Sequence, residues 1–126
     1  MVKYSTMKHC LTSVYPDASA ELPPAADPAA ITRLAELVAR AERPAFLVGS
    51  DAYWDGAWTE LEAAATALGV PCFFNGLGRG MLPADHPHAF LRTRGLLKQR
   101  ADLVVVIGTP LDFRVGFGRF GEARVM

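Results

Sequence analysis

Three stretches of the chain are apolar without alternation: Ala45-Phe46-Leu47-Val48, Val70-Pro71-Cys72-Phe73-Phe74 and Leu103-Val104-Val105-Val106-Ile107. A strand with one wet face alternates apolar and polar positions, so an unbroken run predicts a strand covered on both faces, as in a parallel sheet. Between these runs the period changes. Ile31, Leu34, Leu37 and Val38 recur at helical spacing behind Asp27-Pro28, a capping residue with proline at the first helical position. That helix must stop before Pro44, because the residue preceding a proline disfavours the α region. A second helix is expected to open at Asp55 or Gly56, with Trp58, Leu61, Ala64, Ala65 and Leu68 on one face and Gly69 just past its end. A weaker helix falls within residues 90–100, and Arg124-Val125-Met126 reads as the opening of another strand.

Strands alternating with helices predict an α/β fold: a Rossmann-like parallel sheet with helices on both faces, in three αβα layers, joined by right-handed crossovers. Ligands of such sheets sit beyond the carboxyl ends of the strands, here Gly49-Ser50-Asp51, Asn75-Gly76 and Gly108-Thr109-Pro110. Residues 1–26 lack this periodicity and run into the Pro/Ala-rich stretch Asp17–Ala26, so they read as a linker or an added tail. The domain is expected over 27–126, truncated at its C-terminal side because the chain stops where a strand begins.

Composition narrows the class. With 51% hydrophobic residues and a mean hydropathy of +0.17, the chain is not a disordered one. Thirteen Lys+Arg balance thirteen Asp+Glu, which argues against a nucleic-acid surface. No apolar run approaches the ~20 residues that cross a bilayer, and no secretory leader pattern follows Lys3 and Lys8. Cys10 and Cys72 stand far apart without a CxxC or clustered histidines, so neither a disulfide scaffold nor a zinc site is expected, and a cytoplasmic setting is.

Candidate chemistry is sparse. Gly116-Phe117-Gly118-Arg119-Phe120-Gly121 spells G-x-G-x-x-G, but the dinucleotide fingerprint needs a strand directly before it, a helix opening on it and an acid about 20 residues later. The chain ends too soon after Gly121 for that, and a flexible loop is the better reading. Gly76-Leu77-Gly78-Arg79-Gly80 follows a strand directly and leaves two readings open. Its backbone N–H groups and Arg79 could meet a phosphate, or the glycines serve a crossing loop and Arg79 is solvated or ion-paired. Arg92, Arg94, Lys98 and Arg100 read as a solvated helix face. Asp112 and Arg114 either bond a ribose or phosphate or pair with each other. Asp85, His86 and His88, set among prolines, read as a surface turn rather than a metal motif. No G-x-S-x-G or Walker A sequence occurs, and no residue stands out as nucleophile, general base or metal ligand. On its own residues the domain is a scaffold or a binder.

Four segments together carry a family resemblance: Arg43-Pro44-Ala45-Phe46-Leu47-Val48-Gly49, Leu68-Gly69-Val70-Pro71, Gly78-Arg79-Gly80-Met81-Leu82-Pro83-Ala84-Asp85-His86-Pro87, and the stretch from Ala101-Asp102 through Gly108-Thr109-Pro110-Leu111-Asp112-Phe113-Arg114. In order and spacing they resemble the central domain of thiamine-diphosphate-dependent enzymes of the acetolactate synthase group, over Pro23 to Met126. The resemblance implies an enzyme of three α/β domains. The outer two would hold thiamine diphosphate and magnesium, and the Rossmann-like middle domain would pack between them; that middle domain holds FAD in acetolactate synthases and ADP or CoA in oxalyl-CoA decarboxylase and 2-hydroxyacyl-CoA lyase.

 In that family the activating glutamate lies in the first domain and a G-D-G…N metal motif in the third. Neither stands in this sequence, so the chain by itself is expected to be inactive. The Met-His-Gly loop of FAD-binding synthases is absent too. Arg92-Thr93-Arg94-Gly95-Leu96-Leu97 is closer to the Arg-Ser-x-Ala-Leu segment of the acyl-CoA enzymes, whereas Leu111–Gly118 is similar to an acetolactate-synthase-like subgroup.

The resemblance therefore implies decarboxylation of a 2-keto acid followed by carboligation, with three rivals: an acyl-CoA lyase or decarboxylase, a free-standing nucleotide-binding module and an empty structural spacer. A nucleotide pocket is expected from Gly49, Gly78, Arg79, Arg94, Gly108, Thr109, Asp112 and Arg114. The expected partners are the flanking pyrimidine- and pyrophosphate-binding domains and further copies of the chain in a homo-oligomer, with neither nucleic acid nor membrane.

Overall fold

The computed structural model describes residues 25–126. Most of the expected tail, with His9 and Cys10, lies outside the described residues. The elements run α1 (Pro28–Arg40), β1 (Pro44–Val48), α2 (Ser50–Trp54), α3 (Trp58–Leu68), β2 (Cys72–Phe74), a 3₁₀ turn (Gly76–Gly80), β3 (Ala89–Phe90), α4 (Gly95–Arg100), β4 (Leu103–Ile107), a second 3₁₀ stretch (Phe113–Gly118) and β5 (Arg124–Val125). All five strands pair in parallel, in the order β3-β2-β1-β4-β5. The α/β, Rossmann-like parallel sheet predicted from the unbroken apolar runs is the fold observed.

β1 lies in the middle and explains why its sequence does not alternate. Phe46 and Val48 face one core, with Cys72, Phe74 and Val105 beside them. Ala45 and Leu47 face the other, with Phe73, Val104 and Leu97. Both faces are dry, so both sets must be apolar. The helices α1 and α3 contribute Val38, Leu61 and Ala65 to the first core. The second is closed by Leu97 of α4 and by Val115 and Phe120 of the loop after β4.

α1 begins as its sequence demands. Pro28 occupies the first turn, and the Asp27 carboxylate accepts the Ala29 N–H at 3.0 Å. After Arg40 the backbone turns extended, and the turn into β1 is fastened from a distance. The Asp102 carboxylate accepts the N–H groups of Glu42 at 2.8 Å and Arg43 at 3.0 Å, while Arg43 Nε donates to the Arg100 carbonyl at 2.6 Å. Ala101-Asp102, part of the family-like stretch, is thus a clamp between the start of β4 and the start of β1.

Several expectations need correction. A short helix, α2, follows β1 directly, and α3 opens at Trp58 rather than at Asp55 or Gly56. Gly56 instead takes a left-handed turn, φ +74°, between the two helices. Of the predicted face of α3, only Leu61 and Ala65 are buried; Trp58 and Leu68 remain 43% and 55% exposed. β2 is three residues long rather than five, because the Val70 N–H bonds back to Ala65 of α3 and only Cys72–Phe74 join the ladder. β3 was not expected, and the helix sought within 90–100 is confined to Gly95–Arg100. The glycine-rich stretch at 116–121 opens no helix: Gly116, Phe117 and Gly118 have φ of +63°, +55° and +77°, so the chain coils left-handed there.

Candidate functional site

The carboxyl ends of β1, β2 and β4 come together with the 3₁₀ turn at 76–80 and the start of α2. Three of the expected pocket glycines lie in this junction, and protein atoms fill the space beside each. A Cβ on Gly49 would fall on Thr109, one on Gly78 on the Val48 carbonyl, and one on Gly108 on the backbone N–H of Ala52. Gly108 also sits at φ +58°, where a side chain is strained. Their backbone groups are engaged: Gly49 N–H donates to Ile107 at 2.8 Å, Gly78 N–H to Asn75 at 3.1 Å, and the Gly108 carbonyl accepts from Asp51 at 2.9 Å. Close crossing of main chains accounts for these glycines without a ligand.

The polar residues of the junction are another matter. Asn75, immediately after β2, donates through Nδ2 to Thr109 Oγ1 at 3.1 Å and accepts through Oδ1 from Arg94 Nη1 at 3.0 Å. The ends of β2 and β4 and the residue that opens α4 are thereby linked by one side chain. Arg94 then lines a cavity of about 280 Å³ between α4 and the 113–120 loop, together with Lys98 and Arg114. Three cationic side chains border one small space. Arg114 is paired in part: its Nη1 lies 2.6 Å from Asp112 Oδ2, its N–H donates to Asp112 Oδ1 at 2.8 Å, and its guanidinium stacks 4.8 Å from the Phe113 ring centroid.

Of the expected site residues, the structure therefore joins Arg94 to Thr109 through Asn75 and brings Arg94 and Arg114 to one cavity. Asp112 engages Arg114, the second of the two readings the sequence left open for that pair. Arg79 is exposed, does not line the cavity that Arg94 and Arg114 border, and its side chain makes no hydrogen bond among the described residues. Asn75 and Lys98 were not on the expected list. The signal for Asn75 was present: a polar side chain directly after a buried parallel strand sits where such sheets bind ligands. Lys98 is exposed, as a residue of a solvated helix face is expected to be, and also lines the cavity.

The remaining features offer less chemistry. A larger groove, about 600 Å³, lies between α1 and α3 over β1 and β4, with Glu60 as its one charged lining residue. His86 and His88 form the surface turn expected of them, with the His88 N–H donating to His86 Nδ1 at 3.2 Å and Thr66 Oγ1 3.3 Å from His86 Nε2. Burial pushes the Cys72 thiol up to about 12, so it is not an available nucleophile near neutral pH. Among the described residues, no group of three His, Cys, Asp or Glu side chains gathers around a common point. Arg94, Lys98 and Arg114 around one cavity have the donor chemistry that suits an anion. Among the described residues, no helix is long and apolar enough to cross a membrane.

Comparison with known proteins agrees with this geometry. Residues 31–124 match the family model described as the thiamine pyrophosphate enzyme, central domain. The acetolactate synthase large subunit IlvG of Mycobacterium tuberculosis is 39% identical over 105 residues, covering 82% of this chain and 19% of that protein. The 2-hydroxyacyl-CoA lyase 2 of Homo sapiens is also 39% identical, over 97 residues, 76% of this chain and 15% of the lyase. Its Mus musculus counterpart is 35% identical over 122 residues, 90% of this chain and 19% of that protein. The chain spans about a fifth of the length of the curated relatives it matches. With the expected parallel sheet and a family match over nearly all the described residues, the chain belongs to the thiamine pyrophosphate enzyme family, in which it corresponds to the central domain.

Proposed function

We propose that this domain holds an ADP-containing group at the carboxyl edge of its sheet within a thiamine-diphosphate-dependent enzyme of the acetolactate synthase type. The single observation that carries the reading is the convergence of Arg94, Lys98 and Arg114 on one cavity between α4 and the 113–120 loop, with Arg94 tied through Asn75 to the end of β2. Guanidinium and ammonium groups placed together suit a diphosphate, because each can give several charge-assisted hydrogen bonds to its oxygens. ADP, FAD and CoA share that diphosphate. In the whole enzyme thiamine diphosphate, with magnesium, supplies the electron sink for decarboxylating a 2-keto acid and joining the remainder to a second carbonyl. The work of this chain is to bind and orient: its sheet spaces the pyrimidine- and pyrophosphate-binding domains on either side, in a homo-oligomer, and residues 1–26 serve as linker. By itself the domain does not catalyse the reaction.

A second reading, the central domain of an acyl-CoA lyase or decarboxylase, has its own support. The two classes of relative are equally similar, and Arg94, which the acyl-CoA-like segment contributes, is the residue fixed at the site. Thermal melting of the purified chain with ADP, FAD, CoA and thiamine diphosphate separates the two. A ligand at 100 times its dissociation constant stabilises by about 2.7 kcal/mol, a readable shift. FAD-induced stabilisation supports the synthase reading; stabilisation by ADP and CoA without FAD moves the assignment to the acyl-CoA branch. If none of the three shifts the melt, the domain is a spacer and the nucleotide reading fails.

A further inference from the structure

Asn75 makes both of its bonds with groups that bear on ligand binding, and its chemistry fixes what those groups have left to offer. Arg94 can only donate, so the amide oxygen must face it, and the amide nitrogen must face Thr109. The Thr109 hydroxyl, having accepted from Asn75, keeps its proton for another acceptor. Arg94 spends one N–H on a neutral carbonyl and keeps its full charge and its other donors. Asp112 does the opposite at Arg114, where a carboxylate offsets the charge it holds in place. Both Arg94 and Thr109 are half-buried, so their orientation is set by this bond network rather than by water.

We propose that Asn75 is a positioning residue for the anion site: anchored on Thr109, it holds Arg94 at the cavity with its guanidinium charge undiminished, a donor only, for the phosphates of the bound group. The inference rests on the nucleotide reading above and deepens it. A neutral bridging amide is what such a role requires. An aspartate in its place would hold Arg94 equally well but cancel its charge, and an apolar residue would leave the arginine free to swing into solvent.

Calorimetric titration of the purified chain with ADP and with adenosine tests this, since only ADP carries the phosphates. Asn75→Ala is expected to weaken ADP about tenfold and leave adenosine unchanged. Asn75→Asp, close in size, should weaken ADP at least as much while melting near the wild type, which keeps the test intact should the alanine variant fail to fold. In an Arg94→Ala background the Asn75→Ala change should cost ADP less than about twofold more, because Asn75 acts through Arg94. Equal loss of ADP and adenosine would mean a merely structural role and overturn the proposal, as would unaltered ADP binding by a folded Asn75 variant or additive effects in the double variant. A wild-type chain that binds neither ADP nor inorganic pyrophosphate would overturn the site reading itself, and the positioning role with it.

Discussion

Strand β4 has an aspartate at each end, and the two are used in contrasting ways. Asp102, just ahead of the strand, reaches across the sheet and accepts two backbone N–H groups from residues 59 and 60 positions away. The Asp112 carboxylate, beyond the strand's other end, bonds only to Arg114, two residues on, through the arginine's N–H and its guanidinium. The amino end of the sheet is held by side-chain bonds to backbone that is distant in sequence. The carboxyl end is closed by glycines that let main chains cross and by the Asn75 bridge, and Arg94, which that bridge holds, borders a cavity with Lys98 and Arg114. The carboxylate clamp and the candidate site thus stand apart along one strand.

The sharpest way to break that separation is at the crossing itself. Gly108→Val forces a side chain onto the backbone of α2 at positive φ, and a loss on the order of 3 kcal/mol or more is expected. Urea denaturation would show a large drop in midpoint or no folded baseline. Next in size, Asp102→Ala leaves the N–H groups of Glu42 and Arg43 without their carboxylate, at a cost of about 1–2 kcal/mol in the same assay, with ligand binding unchanged.

That clamp also carries a pH signature. Desolvation pushes the Asp102 carboxyl up, but the N–H bonds from Glu42 and Arg43, its own backbone N–H and the Arg43 charge together hold it below the ordinary 3.8. A carboxyl depressed in the folded state stabilises fully above its unfolded value, and that contribution fades as pH falls through the folded one. Wild type should therefore lose part of its advantage over Asp102→Asn below about pH 4, and parallel pH–stability curves for the two would refute the assignment. Asp112→Ala, by contrast, removes an exposed pair and should shift stability by less than about 1 kcal/mol. Its effect belongs in the ADP titration, where freeing Arg114 should alter affinity without altering the melt. The smallest effect is expected at Cys72: its buried thiol, raised to about 12, should escape alkylation at pH 8 in the native chain and react on unfolding, as peptide mass spectrometry would show.

What was legible in the sequence follows from how local each cause is. The run Leu103–Ile107 and the Asp27-Pro28 cap carry their own reasons, and both were read with their boundaries nearly right. α2 has no side-chain cap and is seated by a bond from Asp51 N–H to the Gly108 carbonyl, so nothing within Ser50–Trp54 announced it. β3 exists because Cys72 and Phe73 offer it a partner; two residues have no period to read. At the site the basic residues were visible, but their meeting was not. Arg94 lies 19 positions from Asn75, and Thr109 lies 34, and only the fold brings the three together.

The place of β1 in the sheet also has a consequence for how the chain acquires its structure over time. β1 pairs with β2 across a short connection, but its other edge waits for β4, more than twice as far along the chain. Closing the longer loop costs only about 0.7 kcal/mol extra, so the penalty is one of order rather than of equilibrium. During synthesis, Ala45–Val48 must emerge and pair with β2 while its second edge still lacks a neighbour, and such an edge is open to strands of other chains. Pulse-labelled hydrogen exchange during refolding should find the β1–β2 amides protected before those of β4; simultaneous protection would argue that the sheet forms in one step.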